Sequence, residues 1–104
     1  MTRVERFDPD FAIDVIEATA HYDKISIDLG NRFRAALREA LVSVRKRPES
    51  FGYTRRPSRG AMLAKFPYVI VFRATDSTLF FGGCFHSSSD PERWRHRMVD
   101  NPSR

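Results

Sequence analysis

The stretch PYVIVFRATDSTLFFGGCF (67–85) limits the fold more than any other part of the chain. It is dense in β-branched and aromatic residues on both sides of Thr75-Asp76-Ser77, which reads as a short turn between two antiparallel strands. A lone hairpin is marginal in water, so these strands need neighbours and a cover.

The cover is written upstream. After Asp8-Pro9, a capping pair, Phe11, Val15, Ile16, Thr19 and Tyr22 recur at three- and four-residue steps. Asp10, Asp14, Glu17, His21 and Lys24 fall on the opposite side, which describes an amphipathic helix to about residue 25. Gly30-Asn31 reads as a turn that closes a break over 25–33. A second helix follows, with Phe33, Leu37, Ala40, Leu41 and Val44 on one face, and stops before Pro48. Two stripes joined by a short link form a helical hairpin that must lie on a sheet.

RVERF (3–7) reads as a first short strand, ESFGYTRRPSRG (49–60) as a loop, and AMLAKF (61–66) as a third strand beside the two above. Asp90-Pro91-Glu92 repeats the capping grammar and opens a short terminal helix, PERWRHRM. The expected fold is α+β, in the order β-α-α-β-β-β-α, with the hairpin on one face of a small, mainly antiparallel sheet. The other face is expected to be open and concave. One domain spans 1–98, and 99–104 is expected to fray.

Composition narrows the setting. Residues 1–31 hold seven acidic and three basic residues, and residues 32–104 hold six acidic and fifteen basic ones. The positive part suits an acidic protein or a polyanion. A single cysteine excludes an internal disulfide and suits a reducing compartment. No apolar run approaches the roughly 20 residues of a membrane span. No secretory signal is read at the start, and a cytoplasmic location is expected.

Strict alternation along the last strand puts Phe80, Gly82, Cys84 and His86 on one face, and Leu79, Phe81, Gly83 and Phe85 on the core face. Gly82-Gly83 marks a bulge or a close backbone approach. Same-strand neighbours rarely reach one another as a nucleophilic pair, so Cys84 reads as structural. Three histidines at scattered spacing give no metal site, and no cofactor is expected. Serines 87–89 read as turn and cap material. Arg55, Arg56, Arg59, Lys65 and Arg73 surround the strands. With His86 they could serve metal-free RNA cleavage, His86 as acid or base and the cations on phosphate. The plainer reading is a set of solvated cations.

Taken in order, these segments resemble the RelE/ParE toxin superfamily of type II toxin–antitoxin modules. The resemblance covers roughly residues 4 to 97. It rests on Leu29-Gly30-Asn31-Arg32-Phe33 in the helical hairpin, on Phe66-Pro67-Tyr68 opening a strand, and on His86 followed by Asp90-Pro91-Glu92-Arg93-Trp94. The Phe-Pro-Tyr opening and the tail look ParE-like, and Val69 stands where RelE-like nucleases tend to carry an arginine. The resemblance implies a ParE-like toxin that binds DNA gyrase without chemistry of its own and joins a small acidic antitoxin in a hetero-oligomer. Arg55, Arg56, Arg59, Lys65, Arg73, His86, Arg93, Trp94 and Arg97 would then meet target or antitoxin. The alternatives are a metal-independent mRNA endonuclease acting on the ribosome through His86, Arg73, Lys65 and Arg59, or an antitoxin-binding member without toxicity. Ser87-Ser88-Ser89 departs from the basic pair often found there in either branch.

Overall fold

The computed structural model describes residues 2–98; the tail expected to fray lies outside them. Strand β1 (Val4–Phe7) leads into helices α1 (Phe11–Ile25) and α2 (Ile27–Lys46) and a 3-10 turn at Pro48–Ser50. Strands β2 (Tyr53–Arg55), β3 (Ser58–Met62), β4 (Tyr68–Ala74) and β5 (Thr78–His86) follow, and a 3-10 segment, Pro91–Met98, ends the described chain. The sheet runs β1-β5-β4-β3-β2, with β1 parallel to β5 and every other pair antiparallel. The α+β order is as expected, with one strand added. Tyr53–Arg55 pairs with β3 and turns back through Arg56-Pro57. β3 starts three residues earlier than expected and ends at Met62, so Leu63 to Pro67 form the connection to β4.

The helical hairpin is tighter than the sequence suggests. Gly30-Asn31 makes no turn; it lies inside α2, and the break is Ser26 alone, whose hydroxyl accepts from Leu29 N–H at 3.0 Å. This is an N-cap. Gly30 has its own reason. A Cβ there would run into the Asp23 carboxylate, which lies across α2 to receive Arg34 at 2.6 and 3.1 Å. At the start of α1, Asp8 Oδ1 accepts from Asp10 N–H at 2.9 Å, and the helix begins at Phe11.

The central strands β4 and β5 are buried on both faces. Under the helices, Phe33, Phe72, Phe81 and Ile70 are essentially sealed from water. Each contributes roughly 1.5–3 kcal/mol by burial. Phe33 meets the rings of Tyr22, Phe66 and Tyr68 at 5.1 to 5.3 Å. The phenylalanines are therefore mainly core. The second face was expected to stand open. Instead Trp94 and Met98 of the terminal segment lie over Val69, Val71 and Phe80, and Trp94 stacks on Phe85 at 5.2 Å.

A bulge reorders the last strand. Phe81 pairs with Phe72 but Gly83 pairs with Val71, which leaves Gly82 as an extra residue. The phase of β5 inverts there. Cys84 joins Leu79 and Phe81 under the helices, and Phe85 crosses to the Trp94 side. Strict alternation placed both on the wrong face. The two glycines also admit close neighbours. A Cβ on Gly82 would meet the Met98 side chain and lie 3.1 Å from the Arg97 carbonyl, and one on Gly83 would meet the Phe85 ring.

Candidate functional site

Two concave regions flank the terminal segment, and Trp94 belongs to the walls of both. The larger is an open cleft of about 760 Å3 between α1, the end of β5 and the terminal segment. His21, His86 and His96, the three histidines of the chain, all line it, with Asp14, Arg93 and Arg97. Among the described residues no three His, Cys, Asp or Glu side chains come together as metal ligands.

His86 is exposed at the end of β5 and pairs with Tyr68, ring centroids 5.3 Å apart. Ser88 N–H donates to His86 Nδ1 at 3.1 Å, and the Ser88 hydroxyl is 2.7 Å from the same nitrogen. A backbone N–H can only donate, so Nδ1 must accept and a neutral ring carries its proton on Nε2. Ser89 bonds back to the His86 carbonyl through its N–H and its hydroxyl, at 2.9 and 2.6 Å, and that hydroxyl accepts from the Trp94 indole at 3.0 Å. The serine run is turn material, as expected; the terminal segment is capped by Asp90, whose Oδ1 accepts from Glu92 N–H at 3.0 Å.

The cleft is held by a long-range ion pair. Arg97 donates to both oxygens of Asp14 at 2.7 and 3.0 Å, both side chains being only 14% exposed. Hydrogen bonding to Asp14 raises the Arg97 guanidinium above its usual range. The Cys84 N–H donates to Asp14 as well, at 3.1 Å. Asp14 was assigned by periodicity to the solvated face of α1; it is a half-buried anchor. Burial, and secondarily the Asp14 charge, pushes the Cys84 thiol up to about 12. It is protonated at neutral pH and no nucleophile.

The smaller pocket, about 240 Å3, opens on the second sheet face. Arg55, Arg56, Arg73 and Arg95 ring it, over Val71 and Trp94. Arg55 and Arg95 share Glu92.

The expected site residues thus fall into separate groups. His86, Arg93, Trp94 and Arg97 meet at the cleft; Arg55, Arg56, Arg73 and again Trp94 meet at the pocket. Arg59 belongs to neither. It lies over the Tyr53 ring at 4.0 Å and donates to the Phe51 carbonyl at 2.6 Å, on the face of β3 that carries Ala61 under the helices. Lys65 is on the β3–β4 connection, exposed, at φ 67°. His86 pairs with Tyr68 and Arg73 with Phe80, at opposite ends of the β4–β5 ladder. Five residues of strand separate them, roughly 16 Å. His86, Arg73, Lys65 and Arg59 do not share one surface. Sequence reasoning missed Asp14, His21, His96 and Arg95 as lining residues; only the spacing of Arg95 beside Glu92 and Trp94 gave a local signal.

No family model matches the chain, and no curated protein matches it by sequence. Among solved structures it is similar to a chain described as the chromosomal ParDE TA system from P. aeruginosa, with a TM-score of 0.67. The likeness covers 82% of this chain and 96% of that one, at 12% identity. The two share a fold. No helix among the described residues is long and apolar enough to cross a membrane.

Proposed function

We propose that the chain is the toxin of a type II toxin–antitoxin module, ParE-like in action. It arrests growth by binding DNA gyrase in the cytoplasm, and a cognate acidic antitoxin neutralises it in a hetero-oligomer. The observation that carries this reading is the fold shared with a ParDE chain over 82% of the residues. The sequence motifs, in their order, support it independently.

Binding without chemistry is favoured over RNA cleavage by the distance between His86 and Arg73. A metal-free nuclease needs its acid–base group and its cations around one phosphate, and the β4–β5 register holds those two residues apart. An apolar groove lined by Phe7, Phe11, Val15 and Ile16, the last 65% exposed, supports a protein partner.

Pulse labelling after tightly controlled induction in a bacterium tests the proposal. Thymidine incorporation falls in the first minutes while methionine incorporation continues. An early fall in translation overturns the gyrase reading in favour of the nuclease, with His86→Ala as the next variant. No fall in either removes the toxin assignment.

A further inference from the structure

One imidazole of the cleft is tied to the terminal segment by a short run of hydrogen bonds. His86 Nδ1 accepts from the Ser88 N–H, two residues on, at 3.1 Å, and lies 2.7 Å from the Ser88 hydroxyl. The His86 carbonyl accepts from the Ser89 N–H and hydroxyl. The Ser89 oxygen in turn accepts from Trp94 Nε1 at 3.0 Å, and Trp94 covers Val69, Val71 and Phe80 on the second sheet face. A neutral ring that accepts at Nδ1 already carries its proton on Nε2. A second proton therefore goes to Nδ1 and turns the acceptor into a donor. The Ser88 hydroxyl can rotate to accept from it. The Ser88 N–H cannot, and two donors then face each other.

The surroundings offer the added charge no partner. The cleft takes Asp14, Glu17 and His21 from α1 and Tyr68 from β4. It takes Arg93, His96 and Arg97 from the terminal segment, and the protonated Cys84 from β5 itself. Asp14 is held by Arg97, and no carboxylate bonds to His86 among the described residues. We propose that His86 makes the seat of the terminal segment sensitive to protons. Acid breaks the Ser88 bond, loosens the turn over 86–89 and frees the Trp94 end of the segment. The Arg97–Asp14 pair contains no imidazole and keeps the other end fastened. The open state takes up a proton that the closed state resists, so falling pH favours opening. The range is that in which imidazole ordinarily titrates, around pH 6.5. The device is the same whichever target the chain has.

Trp94 is the only tryptophan of the chain, so its indole N–H gives a single exchange signal, and Ser89 is the acceptor of that N–H. Hydrogen exchange of the full chain is followed by NMR at about pH 7.5 and about pH 5.5. Protection is taken relative to free indole at each pH, which removes the intrinsic pH dependence. Protection of the indole N–H is expected to fall about fivefold in acid, the loss of one hydrogen bond, while the amides of α2 keep theirs. Asparagine accepts from the backbone N–H two residues on and does not titrate. His86→Asn is therefore expected to stay closed at both pH values. His86→Ala, with no acceptor, is expected to show the lower protection at both. Urea midpoints of the variants show that each remains folded. Unchanged protection in the native chain overturns the proposal, and so does a fall shared equally by α2. A fall that persists in His86→Asn overturns it as well, whether or not His21→Gln or His96→Gln removes that fall. So does a His86→Ala chain as well protected at pH 7.5 as the native one.

Discussion

Arg97 and Asp14, 83 positions apart, form a two-pronged ion pair at 2.7 and 3.0 Å that fastens the terminal segment to α1. Removing Asp14 leaves the half-buried Arg97 guanidinium with only the more distant Asp10 carboxylate, 3.7 Å away, which costs about 3 kcal/mol. Asp14→Ala is expected to lower the urea midpoint accordingly and to loosen the terminal segment first, seen as a red shift of Trp94 emission before the main transition. Replacing both residues with well-packed apolar ones should recover most of the loss, since the pair is costly to desolvate.

Gly82 lets the backbone of the terminal segment come close to β5. Gly82→Ala places a methyl against Met98 and the Arg97 carbonyl. The expected cost is about 1–3 kcal/mol of overpacking. Hydrogen exchange localises it: protection falls in the terminal segment and in the second half of β5, while α2 keeps its protection.

Cys84 gives the chain an alkaline limit. Its folded thiol is pushed from a usual value near 9 up to about 12 by burial. The unfolded chain can release this proton above pH 9 while the folded chain holds it. The folded state then binds more protons, and stability falls as pH rises. The thiol's contribution is full below pH 9 and is lost between pH 9 and about 12. In Cys84→Ala this part of the decline disappears from urea midpoints measured across that window. At pH 8 the native thiol should react with iodoacetamide far more slowly than in urea.

Lys65 occupies the left-handed region at φ 67°, which costs a side-chain-bearing residue about 1–2 kcal/mol. Asparagine tolerates that conformation. Lys65→Asn is expected to raise stability by about 0.5–1 kcal/mol, read as a higher thermal midpoint. An unchanged or lower midpoint would assign Lys65 a contact that offsets its backbone strain.

The readable parts of the fold were those with a local period. The stripe of α2, most of that of α1 and the hairpin Tyr68 to His86 follow from spacing, with Ile16 exposed and Asp14 half-buried as the departures on α1. What failed was tertiary. Gly30-Asn31 has the composition of a turn, but it lies inside α2, where the glycine's missing Cβ leaves room for the Asp23 carboxylate. Tyr53–Arg55 is three exposed residues among Arg and Pro, too short to show alternation. Gly82-Gly83 signalled a bulge, yet only the register with β4 shows that it reverses the faces of Cys84 and Phe85. At the site, the cations were visible one by one. Their separation was not, because it depends on which face and which end of the sheet each occupies.

Strand β5 lies between β1 and β4, so the earliest strand of the chain has no partner until one of the last segments exists. A ribosome that has made the helical hairpin and β4 still holds an incomplete sheet. Val4 to Phe7 can only wait, because their ladder is Thr78 to Phe81. The pairing closes a loop of more than seventy residues, the kind of distant contact that slows folding. Assembly of the sheet is therefore a late event after synthesis. Any partner that recognises the finished surface meets it only once the whole domain has left the ribosome, whereas one that recognises the helices alone could arrive earlier.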